Sequence, residues 1–353
     1  FDIPSTLHAI SAADFNNDGY EDLAVSHLDS ISMHTNIYTN KYASEIDSGF
    51  AIYQQLEGTL YASLDWGDYD NDGDLDLISS GFTGIETDLT GTEYINPITN
   101  VYQQNSQGQF IIDTTLYMLD SVGLSSTQWG DYDNDQDFDL YVGNWGVNRL
   151  YDNDDNEFTN VAKVQDLESD TLSNGISWGD YNNDGLLDIW TSNIRNPDDV
   201  FINLGDAEWD TTSSPQFLSA TQDVVSGDIN GDGWLDVFAA GLKMVNGPSG
   251  AKFTSLLYKN VSTDSSSINN NWLKLRLEGS KSNITNGGWS TQANRSAIGA
   301  RVVLHLPDQD IMREIIAGKG HGNMEPLQLH FGMNTHLSAQ GMTVYWPSRN
   351  PQN

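Results

Sequence analysis

Asp68-Tyr69-Asp70-Asn71-Asp72-Gly73-Asp74-Leu75-Asp76 is the stretch from which the rest of this sequence can be read. Carboxylates stand at positions 1, 3, 5 and 9 of a nine-residue loop, with glycine at position 6. A hard divalent cation takes six to eight oxygens at about 2.3–2.6 Å, and this spacing supplies most of them from one short segment. Positions 1, 3 and 5 turn side-chain oxygens inward, position 7 offers its backbone carbonyl, and position 9 closes the cage. Glycine at position 6 permits the sharp turn, because a positive φ costs it little.

The pattern recurs four more times, beginning at Asp14, Asp131, Asp180 and Asp228, with starts 48 to 63 residues apart. The expected ligands are Asp14, Asn16, Asp18, Tyr20 and Asp22 in the first loop, and Asp68, Asp70, Asp72, Asp74 and Asp76 in the second. Asp131, Asp133, Asp135, Asp137 and Asp139 form the third set, and Asp180, Asn182, Asp184, Leu186 and Asp188 the fourth. Asp228, Asn230, Asp232, Trp234 and Asp236 complete the fifth. Asp and Asn are common in turns for local reasons, which could account for one copy but not for five in one registry. Calcium is favoured over magnesium, which keeps more water and prefers fewer carboxylates. An EF-hand is excluded: its twelfth position needs Glu, and here that position holds Val25, Ser79, Val142, Thr191 and Ala239. Gln136 replaces glycine in the third loop, which is expected to weaken that site although its four carboxylates favour tight binding.

A repeat near 50 residues points to a propeller or similar array, whose units cannot bury their apolar faces alone. Each loop follows a short alternating stretch: Leu7–Ala13, Tyr61–Gly67, Ser126–Gly130, Asn174–Gly179 and Gln222–Gly227. Three of these end in Trp-Gly, at Trp66, Trp129 and Trp178. An apolar, β-rich run leaves each loop, and a second strand pair follows, so each unit is expected to have four strands. In the fourth unit that pair is expected at Asp199–Ile202 and Gln216–Ser219. The polar intervals Asp29–Tyr42 and Phe82–Asn100 suggest loops on one rim, and Glu21 suggests that the strand after the first loop is an exposed edge. Ser262–Asn271 is low-complexity and marks the boundary between residues 1–265, the repeats, and residues 266–353, a small β-rich domain.

Fifty acidic residues face fifteen basic ones, for a formal charge of −35. That balance argues against nucleic acid, whose phosphates require Lys and Arg, and against anionic membrane surfaces. No apolar run of about 18 residues is present, so no helical span is expected. Cysteine is absent, which excludes thiolate metal sites and cysteine nucleophiles and leaves bound calcium as a physically sufficient staple. The chain opens directly before a repeat, which suggests a mature or trimmed product.

The Asp loops, with their Trp-Gly lead-ins and Leu-Asp exits, resemble FG-GAP/VCBS repeats, the units of integrin α-subunit propellers. The C-terminal part resembles the ASPIC/UnbV domain, through Asn271-Trp272-Leu273, Ala297-Ile298-Gly299-Ala300-Arg301-Val302, Leu329-His330-Phe331-Gly332 and Val344-Tyr345-Trp346-Pro347-Ser348. This order is similar to that of cartilage-acidic-protein-like secreted proteins. The resemblance implies an all-β chain: a β-propeller of four-stranded blades, seven being the family norm and five being visible here, then a small β domain.

Other motifs weigh less. Gly175-Ile176-Ser177-Trp178-Gly179 matches a nucleophile pattern, but that motif needs a strand-to-helix elbow and here it leads into an Asp loop. Gly318-Lys319-Gly320-His321-Gly322 suggests a hairpin turn. His330 is expected to be packed and hydrogen-bonded. The repeat aromatics, Trp66, Trp129, Trp178, Tyr69, Tyr132 and Tyr181, are expected between blades, whereas Trp145, Trp190, Trp209 and Trp289 are candidates for exposed contacts. The function expected is that of a secreted or surface-exposed, calcium-stabilised, non-catalytic adhesion or recognition module. Its partner would be a protein or glycan on a cell surface or matrix, or a second copy. A polysaccharide-acting enzyme is the alternative, should two of Asp65, Glu86, Glu93, Asp198 and Asp199 converge. A structural subunit of an extracellular assembly is another.

Overall fold

The computed structural model describes residues 6–347 apart from 30–31, 42–48, 89–90, 117–118, 120–125, 195, 212–220, 242–254, 262–269, 280–293 and 320–323. The chain is all-β and propeller-like. Each Asp loop connects the first two strands of one antiparallel sheet. The first sheet comprises β1 (Leu7–Ala13), β2 (Asp22–Leu28), β3 (Met33–Asn40) and β4 (Phe50–Glu57), in that order. The second comprises β5 (Leu60–Gly67), β6 (Asp76–Asp88), β7 (Gly91–Gln104) and β8 (Phe110–Ile112). In the third, β9 (Ser126–Gly130) and β10 (Asp139–Gly143) precede β11 (Trp145–Val147), which leaves to pair with the fourth sheet; β12 (Arg149–Asp154) and β13 (Glu157–Asn160) complete the blade. The fourth has β14 (Asp170–Gly179), β15 (Asp188–Asn193), β16 (Asp199–Gly205) and β17 (Glu208–Asp210). The fifth has three described strands, β18 (Thr221–Gly227), β19 (Asp236–Gly241) and β20 (Leu256–Tyr258).

Every first strand ends on the residue before loop position 1, and every second strand begins on the position-9 aspartate. The loop thus sets the register of its blade. Successive blades stack with their first strands side by side, β1 on β5, β5 on β9, β9 on β14 and β14 on β18. The Trp-Gly frame explains how closely they stack. The indole of Trp129 lies over Gly67 and that of Trp178 over Gly130, where an added Cβ would stand 2.8 and 2.9 Å from the ring. Loop position 2 provides the opposing aromatic: Phe15 stacks on Trp66 at 6.1 Å and Tyr69 on Trp129 at 5.9 Å. The repeat aromatics are therefore inter-blade packing, each fully buried ring contributing about 1.5–3 kcal/mol or more.

The C-terminal residues form a two-stranded sheet, β21 (Trp272–Leu275) with β24 (Leu329–Gly332), and a three-stranded sheet in which β22 (Arg301–His305) lies between β23 (Asp310–Glu314) and β25 (Gly341–Tyr345). Val302, Leu304, Ile311, Ile315 and Phe331 share one apolar cluster with Phe15, Leu64 and Trp66 of the first two blades. The segment after β23 runs along β1, where Ala12 N–H donates to the Ala317 carbonyl at 2.9 Å. It then reaches the fourth and fifth blades, where Glu325 accepts from Ser177 Oγ at 2.7 Å and from Ser226 N–H at 3.1 Å. The domain boundary near residue 265 lies outside the described residues.

Four expectations are corrected. Phe82–Asn100 is no loop but the hairpin of β6 and β7, because its Thr, Ile and Tyr residues favour an extended backbone. Asp29–Tyr42 likewise contains β3. The fourth strand of the fourth blade is Glu208–Asp210; Gln216–Ser219 lies outside the described residues. The strand after Glu21 is interior, paired on both sides, and Glu21 instead accepts from Ser296 Oγ of the C-terminal domain at 2.9 Å.

Candidate metal centres

The five loops share one backbone. Position 4 is left-handed in all of them, at Asn17, Asn71, Asn134, Asn183 and Gly231, with φ between 56° and 78°. Position 6 is left-handed at Gly19, Gly73, Gln136, Gly185 and Gly233, with φ between 79° and 99°. Asn tolerates this region through its short polar side chain, which gives the second N of D-x-x-N-D a backbone role. Gln136 takes the same geometry at the cost of its Cβ.

Within the loop, position 1 holds the turn closed: Asp14 accepts from Asp18 N–H at 3.0 Å and Gly19 N–H at 2.9 Å. Asp180 repeats this with Asp184 and Gly185 at 3.0 and 2.8 Å, and Asp228 with Asp232 and Gly233 at 3.0 and 2.8 Å. Position 5 accepts the N–H of position 7, in Asp18–Tyr20, Asp72–Asp74, Asp135–Asp137, Asp184–Leu186 and Asp232–Trp234, at 2.8–3.1 Å. Position 9 ties the loop to the third strand: Asp22, Asp76, Asp139, Asp188 and Asp236 accept the N–H of Asn40, Gln104, Asn153, Asn203 and Asn260 at 2.7–2.9 Å.

Those third-strand amides were not recognised in the sequence, and they join the blades. Asn153 Nδ2 donates to the carbonyl of Phe138 in its own loop at 3.1 Å and of Tyr69 in the preceding loop at 3.2 Å. Asn203 does the same toward Leu187 and Tyr132, Gln104 toward Leu75 and Phe15, and Asn260 reaches Tyr181. A second series runs loop to loop, with Asn134 Nδ2 on the Gly185 carbonyl at 3.2 Å and Asn183 Nδ2 on the Gly233 carbonyl at 3.0 Å. The only trace in the sequence is an Asn or Gln two residues after the third-strand Tyr or Phe.

Asp68, Asp70 and Asp76 bring one carboxylate oxygen each within 4.8 Å of one another, as do Asp131, Asp133 and Asp139. Asp68 Oδ1, Asp76 Oδ2 and both oxygens of Asp131 are buried without a hydrogen-bond partner among the described residues. Buried carboxylates are rarely left so, and oxygens converging in this way could hold a metal ion. The electrostatics agree. Burial, and then neighbouring carboxylates, push Asp14 up to about 7 and Asp22 up to about 8. Burial also lifts Asp180 to about 7, and outweighs Arg313 in lifting Asp131 to about 8 and Arg301 in lifting Asp68 to about 6. Asp76, Asp139 and Asp188 rise well above the carboxylate range for the same reason. A divalent cation removes the penalty that burial imposes on these anions. In the other three loops the position-3 amide turns to a neighbouring carboxylate: Asn16 to Asp22, Asn182 to Asp184 and Asn230 to Asp232, at 2.8–2.9 Å.

The C-terminal domain lies on these loops. Arg301 Nη2 is 3.2 Å from Asp68 Oδ2, and Lys274 Nζ is 2.6 Å from Asp228 Oδ2. Arg313, buried, donates to the Gly185 carbonyl at 3.2 Å and faces Asp131 and Asp180. His330 meets Asn183 Oδ1 at 2.7 Å, and burial pushes it down to about 4. Between blades three to five and this domain lies a cavity of about 250 Å³, lined in part by Trp129, Trp178, Met312 and Arg313.

The candidate carboxylates are spread over the second and fourth blades. Ser177 is buried in mid-strand, bonded to Ser226 and Glu325, with no elbow. Asp65 is buried and accepts Trp129 N–H at 3.1 Å, while Asp198 accepts Trp190 Nε1 at 3.2 Å. Glu86 and Glu93 face each other in backbone register across the second-blade hairpin. Lys319 is buried in the segment beside β1 and donates to the Ile176 carbonyl at 2.7 Å, so this part of the motif is no open hairpin; Gly320, His321 and Gly322 lie outside the described residues. Trp145 is exposed as expected. Trp190 is buried against Tyr181 and Tyr258, and Trp209 stacks on Tyr132; Trp289 lies outside the described residues.

The FG-GAP-like repeat family model matches residues 131–191 and 180–239, and the ASPIC and UnbV family model matches residues 290–353. No curated protein matches the chain. Among solved structures, an Agrocybe aegerita lectin, described as recognising non-reducing terminal N-acetylglucosamine, aligns with a TM-score of 0.40 and 14% identity, over 78% of this chain and 72% of its own.

Proposed function

We propose that this chain is a calcium-stabilised, non-catalytic recognition or adhesion module that works outside the cell, where calcium is plentiful. The observation that carries the calcium reading is the convergence of Asp131, Asp133 and Asp139, with both buried oxygens of Asp131 lacking a hydrogen-bond partner among the described residues. Each loop would bind one ion through side-chain oxygens of positions 1, 3, 5 and 9 and the position-7 carbonyl, at Tyr20, Asp74, Asp137, Leu186 and Trp234. The ion would fix the turn between the first two strands and hold the position-9 aspartate that opens the second.

The recognition reading is supported by the FG-GAP-like repeats, which build a rigid scaffold. Its ligand would be a protein or glycan on a cell surface or matrix. Calorimetric titration of chelator-treated protein tests the first half: about five calcium ions should bind, and magnesium should compete poorly. A glycan array and a pull-down from matrix extract at millimolar calcium test the second. Silence in both would leave a metal-stabilised scaffold with no recognition role.

A further inference from the structure

Protein interiors keep few voids larger than a water molecule, so the cavity between the third to fifth blades and the C-terminal domain calls for an occupant. It measures about 250 Å³, whereas a cavity of about 150 Å³ already takes a benzene ring. Its walls are largely apolar, with Phe138, Trp178, Leu187 and Met312 all buried. Five carboxylates and three cationic side chains interrupt them.

Each of the three cations holds a partner. Lys319 Nζ donates to the Ile176 carbonyl at 2.7 Å and pairs with Glu325. Lys274 Nζ lies 2.6 Å from Asp228 Oδ2. Arg313 donates to the carbonyls of Met312 and Gly185 at 2.7 and 3.2 Å and faces Asp131 and Asp180. Its Nε has no partner among the described residues but is fully buried, out of a ligand's reach. Glu314, the last residue of β23, is different. Arg301, its register partner on β22, turns instead to Asp68 at 3.2 Å. Among the described residues, no hydrogen bond or ion pair reaches the Glu314 carboxyl. Part of Glu314 stays accessible, yet burial pushes its carboxyl up to about 8 against the pull of Arg301. The two observations agree because its open side gives onto the cavity that it lines, not onto bulk water.

We infer that this cavity binds a small organic ammonium: an apolar body lies against Phe138 and Trp178, and the charged head meets the Glu314 carboxylate. An anion would find every cation of the walls already engaged, and a neutral molecule would leave Glu314 unpaired. Aromatic faces attract ammonium heads as well, and Phe138 already carries one cation, with Arg301 Cζ 6.0 Å from its ring centre. The surroundings favour positive charge even with metal in the loops. The third loop has five aspartates and the fourth three, so one divalent ion in each leaves both negative. Before binding, burial keeps the Glu314 carboxyl protonated; as the ammonium docks, that proton passes to solvent and a buried ion pair forms. This small-molecule site is separate from any protein or glycan ligand and does not rest on the recognition reading.

Calorimetric titration at millimolar calcium tests it with three probes of one shape: benzylamine, benzyl alcohol and benzoate. Benzylamine should bind about tenfold tighter than benzyl alcohol, the scale of one hydrogen bond to a charged group, and benzoate should not bind. Glu314→Gln should erase the difference between amine and alcohol while alcohol binding persists. Glu208→Gln, on an exposed strand of the fourth blade, should change nothing, which separates the site from the general attraction of a chain with a charge of −35. Circular dichroism establishes that both variants are folded. Three probes that all fail to bind, an amine no tighter than the alcohol, or a benzoate that binds best each overturn the inference on the native chain, whether or not Glu314→Gln folds. So does a Glu208→Gln variant that loses the preference for the amine.

Discussion

Asn203 donates its side-chain amide to the backbone carbonyl of Tyr132, 2.8 Å away and one blade earlier. The same amide reaches Leu187 at 3.3 Å, while the Asn203 N–H is held by Asp188 at 2.8 Å. One residue thus joins an Asp loop to its own third strand and to the blade before it. The arrangement recurs at Asn153 and Gln104, so the loops and the blade stacking form one hydrogen-bonded system.

Replacing this amide should loosen two blades together. Asn203→Ala leaves two buried carbonyls unpaired, each costing about 1–3 kcal/mol, so the variant should lose roughly 2–4 kcal/mol in urea unfolding. Gln107, exposed in the turn that follows Gln104, is the contrast: Gln107→Ala should stay within about 0.5 kcal/mol. Equal effects from the two would mean that the amide is not the inter-blade bond.

The Trp-Gly frame predicts a steric effect that composition alone does not. Gly67→Ala places a Cβ 2.8 Å from Trp129 Cδ1 in a packed interface. Overpacking of this kind costs about 1–3 kcal/mol. Trp129→Leu should by itself destabilise, but in combination with Gly67→Ala the two losses should add to less than their sum. Strict additivity in a double-mutant cycle would show that the glycine is not there to admit the indole.

How much of this was legible follows from where each signal lies. The loops were readable because nine consecutive residues carry both the ligands and the turn, and the strands flanking them followed at once. The inter-blade amides were not, since their acceptors are backbone carbonyls of a preceding loop and leave no mark on its side chains. Trp190 looked free because it lies outside the Trp-Gly frame, yet β15 places it against Tyr258 of the next blade. The C-terminal domain looked separate because Arg301, Arg313 and Lys274 meet Asp68, Gly185 and Asp228 only through the fold.

Metal removal should destabilise in a graded way. A bound ion contributes about 2.7 kcal/mol when free calcium is a hundredfold above its dissociation constant. Chelation should therefore lower the melting temperature well beyond what a single site explains, and Asp139→Asn should remove one ion from the calorimetric stoichiometry. An unchanged melt after exhaustive chelation would show that the loops close without metal.

The pH response should depend on the metal. In the metal-free protein burial raises Asp14 and Asp180 to about 7 and Asp131 to about 8, from 3.8. The folded chain then holds protons that the unfolded chain has released, so its stability falls as pH rises from about 4 to about 8. Calcium needs these carboxylates ionised. With calcium saturating, folded and unfolded chains both lack those protons and the decline disappears. Melting curves across this range with chelator and with calcium check the sign; parallel curves would refute it.

Gln136 offers a test of opposite signs at equivalent positions. It holds φ at +79° where Gly73 of the second loop holds +92°. A non-glycine residue in this region costs roughly 1–2 kcal/mol, partly offset by the entropy that glycine adds to the unfolded chain, about 0.4–1 kcal/mol. Gln136→Gly should therefore stabilise by about 0.5–1 kcal/mol and tighten calcium at the third loop, because the turn no longer strains against the cage. Gly73→Gln should cost about the same amount and weaken the second loop. Urea unfolding with and without calcium separates backbone strain from metal affinity. If Gln136→Gly destabilises, the glutamine side chain contributes a contact there that outweighs its strained backbone.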